Sequence, residues 1–311
     1  MNIELIKQRK KELIELHGPW TAENIHLGGG VYTIDQQVPC SSARLIRFAQ
    51  VISDITDQPF HALRILDLGC LEGGYATEFA RQGARVVGIE GRMANVEKIR
   101  FTKEVLGLEN LEVVQDDVRH LSLEKYGSFD VVLCSGILYH LDAPDVASFL
   151  ERVAEVCRRC TLIDTHISRT GKKSFVYRGQ KYWGSTYIEH RATCTPEERA
   201  KALWASLDNP KSFWPTRPSL YNLLHHAGFT SVYECHNPPE IGKPHDRLTL
   251  VAIKGRSLTL VASPPSLPVD IWPEKQPINI RYYARTHARR LGFFLPRSVK
   301  RLVKRLLGSP T

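Results

Sequence analysis

The chain has 311 residues, 42% of them hydrophobic, enough for one substantial core and a modest additional domain, and no apolar run approaches the ~20 residues that cross a bilayer. The net charge of +9 is local: ten of the 42 basic residues follow Glu274 and no acidic residue does, leaving 32 basic against 33 acidic residues elsewhere, which excludes a whole-surface field steering nucleic acid. The charged opening from Met1 to Lys11 lacks the features of a secretory signal, and seven scattered cysteines argue for reduced thiols, so a cytoplasmic protein is expected.

Residues 1–60 read as an N-terminal helical cap. A helix is predicted over residues 1–17, with Ile3, Ile6, Leu13, Ile14 and Leu16 on one face. Gly28-Gly29-Gly30 and an extended piece at residues 31–35 follow, the latter offering Tyr32 and Thr33 as lid residues. A second helix is predicted over residues 41–55, capped by Ser41 or Ser42. From residue 61 to 255 strands and helices alternate: strands at 64–69, 85–90, 111–115, 129–134 and 161–164, and helices at 74–82, 93–105 and 144–157. Such alternation demands a parallel sheet with helices on both faces. A helix at 219–227, stopped by Gly228, precedes a final antiparallel pair at 231–235 and 248–254. Residues 167–218 interrupt the pattern with an insertion rich in aromatic, Arg and Lys residues, which would lie above the carboxyl edge of the sheet as a substrate lid.

Residues 256–280, rich in Pro and Ser, read as a linker. In the tail, residues 281–311, Pro296 opens and Gly308 closes an amphipathic helix, with Leu295, Val299, Leu302, Val303, Leu306 and Leu307 on one side and five Lys or Arg residues on the other. An anionic membrane surface or a partner protein suits it, with nucleic acid less favoured.

The chemistry gathers at strand ends. The first strand runs into Asp67-Leu68-Gly69-Cys70-Leu71-Glu72-Gly73-Gly74, a nucleotide-binding turn opening a helix. The second ends in Glu90, 23 positions after Asp67, where such folds set a carboxylate against ribose hydroxyls. The third leads to Asp116-Asp117-Val118 and the fourth to Ser135-Gly136 and Tyr139-His140. Leu71 stands where a pyrophosphate-binding turn has a close-approach glycine. Glu72 adds a negative charge, which repels pyrophosphate and suits a ligand bearing an ammonium and a sulfonium.

This order of parts, across roughly residues 60 to 255, resembles the class I S-adenosylmethionine-dependent methyltransferases. The resemblance implies a Rossmann-like seven-stranded, mostly parallel α/β sheet with an antiparallel last pair, and S-adenosylmethionine as cofactor. It implies that the turn around Gly69, including Cys70 and Gly73, cradles the methionine part with Asp67 supporting it. Glu90 would accept from both ribose hydroxyls, Asp117 from the adenine amine, the Val118 amide would read the ring, and Ser135 with Gly136 would line the methionine end. Residues 135–140, Trp214-Pro215-Thr216 and Ala227-Gly228-Phe229 look like the branch containing the transfer-RNA wobble-uridine carboxymethyltransferases. That branch has basic residues after the His, where this chain has Leu141-Asp142, so ordinary S-adenosylmethionine is expected and a tRNA substrate becomes the alternative.

Methyl transfer from a sulfonium needs alignment and, for a high-pKa oxygen or nitrogen, a base. His140 is the first candidate, His166 the second and His190 the third. Tyr139, and from the insertion Tyr182, Trp183, Arg191 and Trp214, are candidate substrate contacts. No set of side chains has catalytic-metal spacing: Cys157 and Cys160 have no second pair, and His225-His226 face different ways. The expected activity is O-methylation of a sugar, lipid-linked glycan or other small polar metabolite, with the protein at the inner membrane face. tRNA modification and a non-catalytic partner subunit are the alternatives.

Overall fold

The computed structural model describes residues 2–34, 43–237 and 246–256. The expected caps Ser41 and Ser42, the body of the linker and the whole amphipathic tail lie outside the described residues. Helix α1 (Ile3–His17) starts where the Asn2 side chain accepts from the Leu5 amide. A small hairpin of β1 (His26–Gly28) and β2 (Val31–Tyr32) follows, then α2 (Ala43–Thr56). The central alternation is β3 (Arg64–Leu68), α3 (Gly74–Arg81), β4 (Arg85–Glu90), α4 (Met93–Leu106), β5 (Leu111–Gln115), the one-turn α5 (Leu123–Tyr126), β6 (Phe129–Ser135), α6 (Asp145–Val156) and β7 (Cys157–His166). The insertion contributes β8 (Lys173–Tyr177), β9 (Gln180–Ile188), α7 (Pro196–Lys201) and β10 (Lys211–Pro215), and α8 (Arg217–His226), β11 (Ser231–Glu234) and β12 (Arg247–Ile253) complete the domain.

Seven strands form one sheet in the order β11-β12-β7-β6-β3-β4-β5. The five strands from β7 to β5 run parallel, and β12 pairs antiparallel with both β7 and β11, the antiparallel last pair expected from the sequence. The chain winds outward from β3 to β4 and β5, then returns to the other side of β3 at β6. That reversal opens a crevice beyond the carboxyl ends of β3 and β6, the place where such sheets bind ligands. One face of the sheet packs with α6 and α8 around Phe149, Leu150, Leu220 and Leu224. The other packs with α2 and α3 around Phe48, Ile52 and Phe79.

The N-terminal cap has a small core of its own, with Ile6, Trp20, Ile25, Leu27 and Val31 packed on Phe101 of α4. The stripe on α1 is narrower than its sequence suggests, since Ile3 and Leu16 are exposed. Below this core Lys98 of α4 is wholly buried and donates to Glu72 at 2.8 Å and to the Pro19 carbonyl at 2.7 Å. Glu72 in turn accepts from the Thr21 and Ala22 amides. An unpaired charge here would cost several kcal/mol, so this network fixes the cap to the turn after β3. The negative charge that the sequence placed beside the turn is therefore cancelled by Lys98.

Two elements depart from their sequence-based bounds. Strand β7 begins at Cys157, directly after α6, because its pairing with β6 extends back to Phe129 and its pairing with β12 to Ile253. Cys157 and Cys160 are ordinary buried strand residues. The insertion contains a three-stranded antiparallel sheet, β10-β9-β8, that hydrophobic patterning did not reveal. Its first hairpin turns through Arg178 and Gly179, both at positive φ (47° and 81°), the backbone of a type I′ loop.

Candidate active site

A cavity of about 540 Å³ occupies the crevice, within the range of small-molecule sites. Asp67, Gly69 and Cys70 at the end of β3, Glu90 at the end of β4, Asp117 and Val118 after β5, and Ser135 at the end of β6 all line it, as do Tyr139 and His140. The turn after β3 is held open by backbone geometry: Gly69 has φ 61°, and a Cβ there would lie 2.9 Å from the Ile137 side chain. Gly73, also expected at the ligand, is not in the wall. Its missing Cβ instead lets the start of α3 approach Ile99, which a Cβ would meet at 2.7 Å.

Glu90 is buried and accepts from the Leu71 amide (3.0 Å), the Arg92 amide (2.8 Å) and the Asn95 side chain (3.3 Å). Burial nevertheless keeps its pKa above the ordinary value, against the pull of those donors and of the Arg92 charge. Asp67 is more extreme: burial pushes it up to about 7, opposed by the Ala76 amide and reinforced by the charge of Glu90. Two desolvated carboxylates in one wall favour a cation between them. Asp117 is engaged otherwise. Burial works against its charge, but Arg119 binds both carboxylate oxygens and holds it below the ordinary range. Asp116 is similarly tied to Lys125, Tyr126 and His120.

Arg92 and Arg119 each follow an acid by two residues, in Glu90-Gly91-Arg92 and Asp117-Val118-Arg119. Both reach out of the carboxyl edge of the sheet to the insertion. Arg92 donates to the carbonyls of Ala200, Ala202 and Ala205, and Arg119 to Asp208 and Asn209. Residues 203–209 thereby become a wall of the cavity. At the opposite end Arg44 of α2 and Arg247 of β12 line the cavity and share Asp164 behind them. His140 Nδ1 lies 3.1 Å from both oxygens of Glu189, just past β9.

The comparisons with known proteins agree with this geometry. Residues 65–159 match the model of a methyltransferase domain family. The N-terminal domain of EvdMO1, crystallised in the presence of SAH and D-fucose, superposes with a TM-score of 0.63 at 26% identity, covering 82% of this chain and 98% of that domain. The chain carries a class I S-adenosylmethionine-dependent methyltransferase domain. Among curated relatives, the ubiquinone biosynthesis O-methyltransferase of Acinetobacter baylyi is 35% identical over 88 residues, 28% of this chain and 36% of that protein. The enzyme of the same name from Methylocella silvestris is 33% identical over 155 residues, 48% of this chain and 59% of that protein. The chain therefore spans between about a third and three fifths of these relatives' lengths.

Several residues expected at the methyltransferase site stand away from the cavity. His166 does not line it; its Nδ1 lies 3.0 Å from Asp246, its ring is stacked on Trp214 at 4.7 Å, and burial lowers its pKa. His190 is buried with Nε2 on the Ser206 carbonyl at 2.7 Å, a contact that shapes the 203–209 wall. Tyr182 sits in the core with its hydroxyl on His226. Trp183 carries Lys181 over its ring, and Arg191 is exposed; neither lines the cavity. Trp214 is sandwiched between Tyr187 and His166, and its Nε1 donates to the Tyr139 carbonyl, so it braces the His140 turn from behind. In the N-terminal cap Thr33 accepts from the Ile25 amide and Tyr32 packs on His26, while Thr21, Ala22 and Glu23 supply the cavity wall.

Proposed function

We propose that the chain methylates a hydroxyl oxygen of a sugar or other small polar metabolite, with S-adenosylmethionine as donor and His140 as the base. The carrying observation is His140 in the cavity wall, next in sequence to Tyr139 and close to the Ser135-Gly136 turn, with Nδ1 occupied by a carboxylate. The donor supplies an electrophilic methyl group on a sulfonium. The chain's own residues fit it. Glu90 would accept from the ribose hydroxyls, Asp67 faces the positive charge, and Gly69 leaves room beside the backbone. Arg44 and Arg247 give the far end of the cavity a cationic wall that suits the donor's carboxylate. His140 would take the acceptor's proton.

A sugar acceptor is supported by the likeness to the EvdMO1 domain, crystallised with D-fucose present, at 82% coverage of this chain. Trp204, which lines the cavity and is 66% exposed, offers a ring at the entrance of the kind that packs on sugar faces. The O-methyltransferase relatives support an oxygen acceptor. Methyl-labelled S-adenosylmethionine incubated with the protein and a fractionated cell extract tests the proposal. Label in the sugar or small-metabolite fraction is expected. His140→Ala should keep SAH affinity and lower turnover by about 10²- to 10⁴-fold. Label confined to tRNA, or an unchanged rate in His140→Ala, overturns it.

A further inference from the structure

Glu189 has no counterpart in the pattern of strand-end residues. It arrives from the insertion, one residue past β9, and its side chain is only 1% exposed. Its carboxylate lies 3.1 Å from His140 Nδ1 at each oxygen, and accepts from the Ser206 amide at 2.9 Å and from the Ser212 hydroxyl at 2.7 Å. Burial works against its charge, yet His140, Ser206 and Ser212 together hold it below the ordinary carboxylate range. A neutral acceptor would satisfy Ser206 and Ser212 as well, without the cost of burying a charge. A carboxylate is favoured over an amide where its partner becomes positive, and the imidazole is that partner.

We infer that Glu189 is the positioning residue of the methyl-transfer base, holding the hydrogen of His140 on Nδ1 and leaving Nε2 as the basic nitrogen. This rests on the proposed function. An ionised carboxylate only accepts, so Nδ1 must donate and the tautomer is set. In the step itself, the acceptor hydroxyl gives its proton to Nε2 while an oxygen lone pair forms the new C–O bond. The C–S bond breaks with its pair remaining on sulfur, and the imidazolium shares its charge with Glu189 until the proton returns to solvent. An arrangement built to accept a proton is wasted on an acceptor already ionised at neutral pH. The substrate class is accordingly an alcohol-type hydroxyl, not a carboxylate. Glu189, Ser206 and Ser212 all belong to the insertion, whereas His140 belongs to the β6 turn, so the insertion completes the base.

Long-range 1H–15N spectra of the labelled full chain, with the His140 signals assigned by their loss in His140→Asn, read the tautomer directly. Wild type should show the hydrogen on Nδ1, Glu189→Asp should keep it there, and Glu189→Gln, which can donate as well as accept, should give both tautomers. With the labelled extract fraction as acceptor, Glu189→Gln should lower kcat about 10²-fold or more at unchanged SAH affinity, and Glu189→Asp should recover most of it. Hydrogen on Nε2 in the wild type overturns the inference without any variant being needed. An unchanged tautomer and rate in Glu189→Gln do so too. A wild type that binds SAH but labels no fraction refutes the proposed function alone, because the tautomer still decides the role of Glu189.

Discussion

Replacing Asp67 by Asn tests the electrostatics of the donor site without knowledge of the acceptor. In the folded protein the carboxyl is pushed up to about 7 from an ordinary value of 3.8. Well below pH 4 both folded and unfolded chains hold the proton and the group contributes nothing. As pH rises from about 4 to 7 the unfolded chain releases its proton first, so stability falls by roughly 1.4 kcal/mol per unit and levels off above pH 7. Between pH 5 and 7.5 the loss amounts to about 2 to 3 kcal/mol. Asn cannot titrate, so urea unfolding of donor-free protein at those two pH values should show Asp67→Asn gaining about that much on wild type. Any constant cost from altering the Ala76 contact cancels between the two pH values. A donor cation favours the ionised form, so binding should release a proton at pH 6, where an amino group of ordinary pKa remains charged. Calorimetry in two buffers of different ionisation enthalpy reads that proton. A stability difference that stays constant with pH, together with no proton release, would refute the reasoning.

Glu90→Gln places an amide among the Leu71, Arg92 and Asn95 donors and loses the charged acceptor; SAH affinity by calorimetry should fall about 10- to 100-fold, and a change below twofold would remove Glu90 from the donor site. Arg119→Met cuts the ties from Asp117 to Asp208 and Asn209, and amide exchange across residues 203–209 should speed up roughly three- to tenfold. In wild type the depressed pKa of Asp117 contributes stability above its ordinary value of 3.8, lost as pH falls through the lower folded value; Arg119→Met should lose stability near neutrality and converge on wild type in acid.

The cavity edge of the sheet was legible because each of its residues is local to a strand end. Asp67, Glu90, Asp117 and His140 close short apolar runs, and a parallel sheet must bring those ends to one edge. Glu189 was not legible: it is one acid among many, 49 residues from His140, and only the folded insertion joins them. Arg44 and Arg247, in the cap and on the last strand, meet over Asp164 for the same reason. The aromatic residues of the insertion misled through composition. Phe175, Tyr182 and Phe213 are needed to bury a three-stranded sheet against the domain, and Trp214 has a ring on each side. A two-residue Arg178-Gly179 loop carries less hairpin signal than Asn-Gly, so β8 and β9 left no clear mark. The acid-x-Arg spelling of Glu90-Gly91-Arg92 and Asp117-Val118-Arg119 was visible, but its partners lie beyond residue 199.

The pairing of these acids says where the donor's positive charge belongs. Glu72 is neutralised by Lys98, Asp116 by Lys125, Asp117 by Arg119 and Asp164 by Arg44 and Arg247, while Glu90 lies under the charge of Arg92. Asp67 has the Ala76 amide and, among the described residues, no cation within ion-pair distance. It is buried, and burial raises its pKa to about 7. A fold that compensates each neighbouring acid from its own chain and leaves this one to a single amide is arranged for a cation from outside. Asp67 stands beside Gly69, where the backbone is kept bare, and the sulfonium and ammonium of S-adenosylmethionine supply such a charge.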